Sequence, residues 1–251
     1  MKKISFQESR SLQYELLKEI HRFCCNNNIC YYMAFGTLLG AVRHKGFIPW
    51  DDDVDIIMPY QDFIKFQNTY KSERYYVCSC LNDNEIGFEF GRIFDNKTYG
   101  LHGKKRVRGV CVDIYILYGA PEKEHLANFD KYLKKFRENR IKIASIRNFL
   151  VKKNLMLGKS VSFAPLNWYC RKYTRYMSQF SNKSEYVAIS GIRYYQQREP
   201  FNKRVLLKFE DSEFYAPHGY DECLKIWYGD YMQLPPEEKR VPYHGFDCYW
   251  K

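Results

Sequence analysis

The sequence predicts a mixed α/β fold. Three observations carry that reading: apolar residues at helical spacing over Glu8–Cys25, short apolar runs bounded by turn formers at Cys30–Phe35, Asp51–Met58 and Gly109–Leu117, and a long charged helical segment from Glu122 to about Leu150. With 251 residues, 45% of them apolar and 18% aromatic, the chain can bury a substantial core, and no repeat or low-complexity tract suggests a modular array.

In chain order, Leu12, Leu16, Leu17, Ile20, Phe23 and Cys24 form one helical stripe that Asn26-Asn27-Asn28 can stop. Cys30–Phe35 reads as a buried strand, Gly36 as a turn and Thr37–Arg43 as a short helix. Asp51–Met58 reads as a strand ended by Pro59, because proline has no N–H for a sheet ladder. A helix over Gln61–Tyr70 and strands over Tyr75–Cys80, Ile86–Phe94 and Gly109–Leu117 follow. Past Pro165 the pattern weakens, leaving short strands at Tyr186–Ser190 and Arg204–Phe209 and a helix at Asp221–Tyr228. The expected organisation is one domain over 1–251, with a core over 1–120 and a helical, aromatic, substrate-binding portion over 121–251.

The net charge of +11, from 40 basic and 29 acidic side chains, suits an anionic partner. Basic residues are spread along the chain, with one close cluster at Lys104, Lys105, Arg106 and Arg108. No helix-turn-helix, zinc-finger or RNA-binding signature accompanies them, so nucleic acid is not the expected partner. The first residues are basic but lead into no apolar signal core, and the longest nearly apolar run, Tyr31–Val42, falls short of the roughly 20 residues a spanning helix needs. A cytoplasmic protein is expected, with a charge suited to peripheral docking on the inner face of an anionic membrane. The nine cysteines are odd in number and lack zinc-knuckle spacing, which favours reduced, mostly buried thiols.

The most informative residues are acidic. Side chains alternate along a strand, so Asp53 and Asp55 share one face while Val54, Ile56 and Met58 point to a core. At a separation of about 6–7 Å their repulsion is on the order of 2–3 kcal/mol at an effective dielectric near 20. Exposure, protonation or a bound cation can relieve it. A solvated acidic turn is the plain alternative, but these aspartates run straight into an apolar strand. Gly36-Thr37 stands upstream at a strand-to-helix turn, where backbone N–H groups can hold phosphate, and Arg43, His44 and Lys45 lie between. Asp113 sits among Val112 and Ile114, where an acid is costly unless hydrogen-bonded, paired or metal-bound.

The stretch YMAFGTLLGAVRHKGFIPWDDDVDI over Tyr32–Ile56 resembles the signature of the LicD family, which includes the fukutins. Val112-Asp-Ile114, Asn96-Lys-Thr98 and the tail YGDYMQLPP over Tyr228–Pro236 are similar as well, so the resemblance touches both ends of the chain and is weakest from about 120 to 200. The family is similar to nucleotidyltransferases of the polymerase-β type, which implies a mixed sheet flanked by helices. Carried over, the resemblance makes Gly36 and Thr37 the turn, Asp53 and Asp55 the metal pair for Mg²⁺ or Mn²⁺, and Asp113 the third acid. The longer gap from Thr37 to Asp53 departs from the superfamily pattern but fits the LicD form. The implied reaction moves a phospho-alcohol, phosphocholine above all, from a CDP-alcohol such as CDP-choline or CDP-ribitol. The acceptor is a hydroxyl of a cell-surface glycan or its lipid-linked precursor, and CMP leaves. Arg43, His44, Lys45, Arg92, Lys97 and Thr98 are the candidate substrate contacts. The competing enzyme reading is a nucleotidyltransferase that adds NMP to a small molecule, sugar phosphate or protein and releases pyrophosphate.

Overall fold

The computed structural model describes residues 2–102, 105–152, 159–180, 183–192, 195–242 and 247–251. Lys104 of the basic cluster lies outside them. They form two compact units, Met1–Val77 with Arg92–Ile114 and Glu199–Lys251, and Cys78–Gly91 with Tyr115–Arg198. The C-terminal segment from Glu199 thus belongs with the N-terminal residues.

The first unit opens with α1 (Phe6–Asn26), two residues earlier than its apolar stripe suggests, because Ser5 and Glu8 form a capping box. Its inner face, Leu16, Leu17, Ile20 and Cys24, is buried at the predicted spacing. The strand expected over Cys30–Phe35 is only β1 (Tyr32–Met33), because Phe35 already opens α2 (Phe35–Arg43) with a left-handed backbone, φ 42°. The strand expected from Asp51 starts later, as β2 (Asp55–Pro59), so Asp51–Asp53 form an extended approach to the sheet. α3 (Tyr60–Thr69), β3 (Tyr75–Cys78), β4 (Gly91–Asp95) and β7 (Cys111–Gly119) follow, with the sheet order β1-β2-β7-β4-β3. β1 pairs antiparallel with β2, Tyr32 opposite Ile57 and Met33 opposite Ile56. Ile56, Ile57 and Met58 are all fully buried, so β2 is covered on both faces and reads as a continuous apolar run.

Between β4 and β7 the hairpin of β5 (Thr98–His102) and β6 (Lys105–Arg108) joins β12 (Cys248–Trp250) in a separate small sheet, which no sequence pattern had suggested. Backbone bonds from Ile4 N–H to the Cys248 carbonyl (2.8 Å) and from Trp250 N–H to the Lys2 carbonyl (3.0 Å) bind the end of the chain to its start. A second hairpin, β10 (Arg204–Phe209) and β11 (Ser212–Pro217), is followed by α6 (Tyr220–Tyr228).

In the second unit the far half of β7 pairs with β8 (Tyr186–Ile189), and β8 with β9 (Tyr195–Gln197). α4 (Leu126–Lys152) packs on α5 (Lys159–Met177), a helix the sequence reading lacked because Pro165 stands within it. Phe136 stacks on Tyr169 at 4.8 Å and meets Tyr173 at 4.2 Å. The buried Asn167 amide donates to the carbonyls of Cys80, Asp83 and Ile86, which fixes the turn after β3. All nine cysteines are free thiols, and only Cys25 is exposed.

The β10–β11 turn grips the loop that leads into the aspartates. Glu210 and Lys45 both have left-handed backbones, φ 58° and 59°. Glu210 N–H donates to the Lys45 carbonyl (2.8 Å), and Glu210 Oε1 accepts from Phe47 N–H (2.9 Å). Removing that acceptor hands the exposed Phe47 N–H to water, so Glu210→Ala is expected to cost about 0.5–1.5 kcal/mol and Glu210→Gln less. Urea unfolding measures both, and an alanine variant as stable as the parent would show that the grip contributes nothing.

Candidate active site

The acids converge at the edge of the buried sheet. Three backbone or side-chain bonds hold the Val54–Asp55 segment: Asp55 N–H donates to Thr37 Oγ1 (2.8 Å), Ala34 N–H to the Asp55 carbonyl (3.0 Å) and Asp113 N–H to the Val54 carbonyl (2.9 Å). α2, β1 and β7 therefore fix the position of Asp55, and β7 brings Asp113 to the same place. From α1, the buried Gln13 donates its amide to the carbonyls of Asp52 (3.0 Å) and Cys111 (3.5 Å), which ties the aspartate run to β7.

Carboxylate oxygens of Asp51, Asp52 and Asp53 can all lie within 4.8 Å of one another. Asp55 and Asp113 are buried beside them, 7% and 8% exposed. At 4.8 Å each like-charged pair costs about 3 kcal/mol at an effective dielectric near 20. Burial, with the charge of Asp53 next, pushes the Asp51 carboxyl up to about 8. Burial likewise holds Asp55 well above the usual carboxylate range, with Asp53, Asp113 and Asp51 adding to it and Arg92 opposing. Arg92 grips Asp113 through both Nε (2.5 Å) and Nη2 (2.8 Å), a bidentate pair that fixes a positive charge at the rim. Asp52, Asp53, Arg92 and Asp113 line a cavity of about 620 Å³ whose other walls include Ser9 and Gln13 of α1 and Asp247 near β12.

The residue set fits a divalent cation. Among the described residues, Asp55 Oδ1 is buried with no hydrogen-bond partner, which is costly for a carboxylate unless a cation or proton compensates it. Hard oxygen donors of this kind suit Mg²⁺ or Mn²⁺ and not a soft metal.

Several expected substrate contacts have other work. A Cβ on Gly36 would stand 2.5 Å from Asp51 Oδ2, so the Asp51 carboxylate lies against the turn expected to receive a phosphate. The Thr37 hydroxyl is engaged by the backbone of Asp55. Arg43 Nη1 donates to the Tyr231 carbonyl (2.6 Å) and so anchors the YGDYMQLPP segment. His44 meets the Trp50 ring edge-on at 6.2 Å. Lys45 and Lys97 are exposed, and their backbones serve turns. The buried Thr98 hydroxyl donates to the Asp95 carbonyl and accepts from Val110 N–H, both at 2.9 Å, so it braces the turn between β4 and β5. Asp51, Asp52 and Gln13 were absent from the expected site. The triplet of acids itself signalled the first two, while nothing local signals Gln13, whose partners lie 39 and 98 residues away.

Residues 28–152 match the LicD/FKTN/FKRP nucleotidyltransferase domain. Over 266 residues, covering 99% of each chain, the sequence is 31% identical to the lipopolysaccharide cholinephosphotransferase LicD of Haemophilus influenzae. The chain belongs to the LicD family. An uncharacterized protein of Rickettsia typhi is 35% identical over 133 residues, 53% of this chain and 37% of that one. Another, of Rickettsia prowazekii, is 49% identical over 65 residues, 26% of this chain and 24% of that one. The LicD domain is nucleotidyltransferase-like, in agreement with the mixed sheet and flanking helices described above.

The raised carboxyls set a pH dependence. Folded Asp51 and Asp55 hold protons that the unfolded chain gives up near pH 4, so the cation-free protein loses stability as pH rises from about 4 towards 8. Asp55→Asn removes one buried charge and should raise the cation-free stability at pH 8 by at least about 1 kcal/mol while flattening this decline. Thermal melts from pH 4 to 8 in chelator measure it, and an unchanged slope would mean that Asp55 carries no strained charge.

Proposed function

We propose that this LicD-type transferase moves phosphocholine from CDP-choline to a hydroxyl of a lipopolysaccharide-like glycan and releases CMP. The observation that carries the reading is the acid cluster around Asp55 and Asp113, opening with Arg92 into a cavity large enough for a nucleotide, in a chain similar from end to end to a lipopolysaccharide cholinephosphotransferase. Asp51, Asp52, Asp53 and Asp55 would supply the oxygens to hold Mg²⁺ or Mn²⁺. Such an ion, when bound, neutralises the pyrophosphate and the charge that develops on the leaving CMP. The acceptor oxygen forms a bond to the phosphorus that carries choline, and the bridging P–O bond to CMP breaks. The hydroxyl proton passes to a carboxylate of the Asp51–Asp53 run. Asp113 is a poor base while both its oxygens are held by Arg92, so its task is to fix that guanidinium against the transferring phosphoryl group. The reaction belongs at the cytoplasmic face of the inner membrane, where such glycans are assembled on lipid.

CMP release from CDP-choline with Mg²⁺ and a lipopolysaccharide acceptor tests the reading. Asp53→Asn and Asp55→Asn should each lower turnover by at least about 100-fold without unfolding the chain. Asp113→Asn should do the same with little loss in melting temperature, whereas a destabilised but active variant would remove Asp113 from the site. Pyrophosphate release from a nucleoside triphosphate, without CMP from CDP-choline, would favour nucleotidyl transfer instead.

A further inference from the structure

α4 in the second unit presents two different faces. Leu126, Phe129, Leu133 and Phe136 recur at helical spacing and are all buried, and Phe136 packs on Tyr169 and Tyr173 of α5. This stripe is the helix's contribution to its own core. On the opposite side, Lys131, Lys134, Lys135 and Lys142 are exposed, with Glu138 among them. Towards the C-terminal end that same side carries Ile141, Ile146 and Phe149, which are 50%, 59% and 57% exposed. On α5, Trp168 is 62% exposed with the Lys172 ammonium 5.7 Å from its ring.

An ordinary solvated helix face does not gather three large apolar side chains where the inner stripe already serves the core. A core-bound face, for its part, does not carry four lysines. Lysines beside exposed Ile and Phe match an anionic bilayer surface: the ammonium groups meet lipid phosphates, and the apolar tips enter the headgroup–acyl boundary. Among the described residues no helix is long and apolar enough to cross a membrane.

We propose that the outer face of α4 is a docking surface for anionic phospholipid bilayers. This is independent of the reaction proposed above, since it uses no residue of the acid cluster.

Flotation of the full chain tests it, using phosphatidylcholine vesicles with and without about one third phosphatidylglycerol. The chain should float with the anionic vesicles, remain behind with the neutral ones, and release as salt is raised. Lys134→Gln/Lys135→Gln should weaken partitioning about 25-fold, from about fivefold per lysine. Ile146→Ser/Phe149→Ser should weaken it at every salt concentration. Both pairs are exposed, so circular dichroism should be unchanged, and CMP release in detergent should stay at the parent level. Equal binding to neutral vesicles, or anionic binding untouched by both double variants, would overturn the proposal. So would a dimer, detected by light scattering and lost in Ile146→Ser/Phe149→Ser, in a chain that binds no vesicles, because the apolar face would then belong to a second copy.

Discussion

Repulsion among carboxylates in a poorly solvated place is the constraint around which the first unit is organised. Five aspartates come together where β2 enters the sheet, and burial keeps Asp51 and Asp55 from ionising as they would in water. A fold gains nothing in stability from such an arrangement, since a buried charge without compensation works against the native state. In the proposed reaction a cation supplied from outside would provide that compensation, and the strain in the cation-free chain would be the physical counterpart of affinity for that ion.

The scaffold around the cluster keeps the acids from moving apart. Thr37 and Ala34 hold the backbone of Asp55, Gln13 joins the Asp52 carbonyl to that of Cys111, and Asp113 is fixed at one end by the β2–β7 ladder and at the other by Arg92. Glu210 restrains the loop that leads to Asp51, and Arg43 draws in the C-terminal segment through the Tyr231 carbonyl. Residues that resemble a substrate-binding set are in several cases the supports of the site. Their polar groups are already satisfied by backbone atoms, and this is what makes the acid geometry rigid enough to be useful.

The elements legible in the sequence were those whose signal is local. The stripe from Leu12 to Cys24 has one period, and Pro59 ends β2 where its missing N–H requires. The acids Asp53, Asp55 and Asp113 could be named because charge next to Val54, Ile56 and Val112 is costly without a purpose. What was not legible depends on distance along the chain. β12 completes a small sheet with β5 and β6, Thr98 serves the Val110 backbone, and Gln13 reaches Cys111, none of which leaves a pattern in neighbouring residues. α5 was obscured by Pro165, and the start of β2 by an aspartate triplet that is extended without pairing in the sheet.

Calorimetric titration of Mg²⁺ into the cation-free chain at neutral pH, repeated in buffers of different ionisation enthalpy, examines the cluster most directly. A cation that replaces protons on Asp51 and Asp55 should bind saturably and release protons, and Asp55→Asn should weaken the binding and reduce that release. Binding with no proton release, or binding of equal strength in Asp55→Asn, would contradict the view that these buried carboxylates are held together for a metal ion.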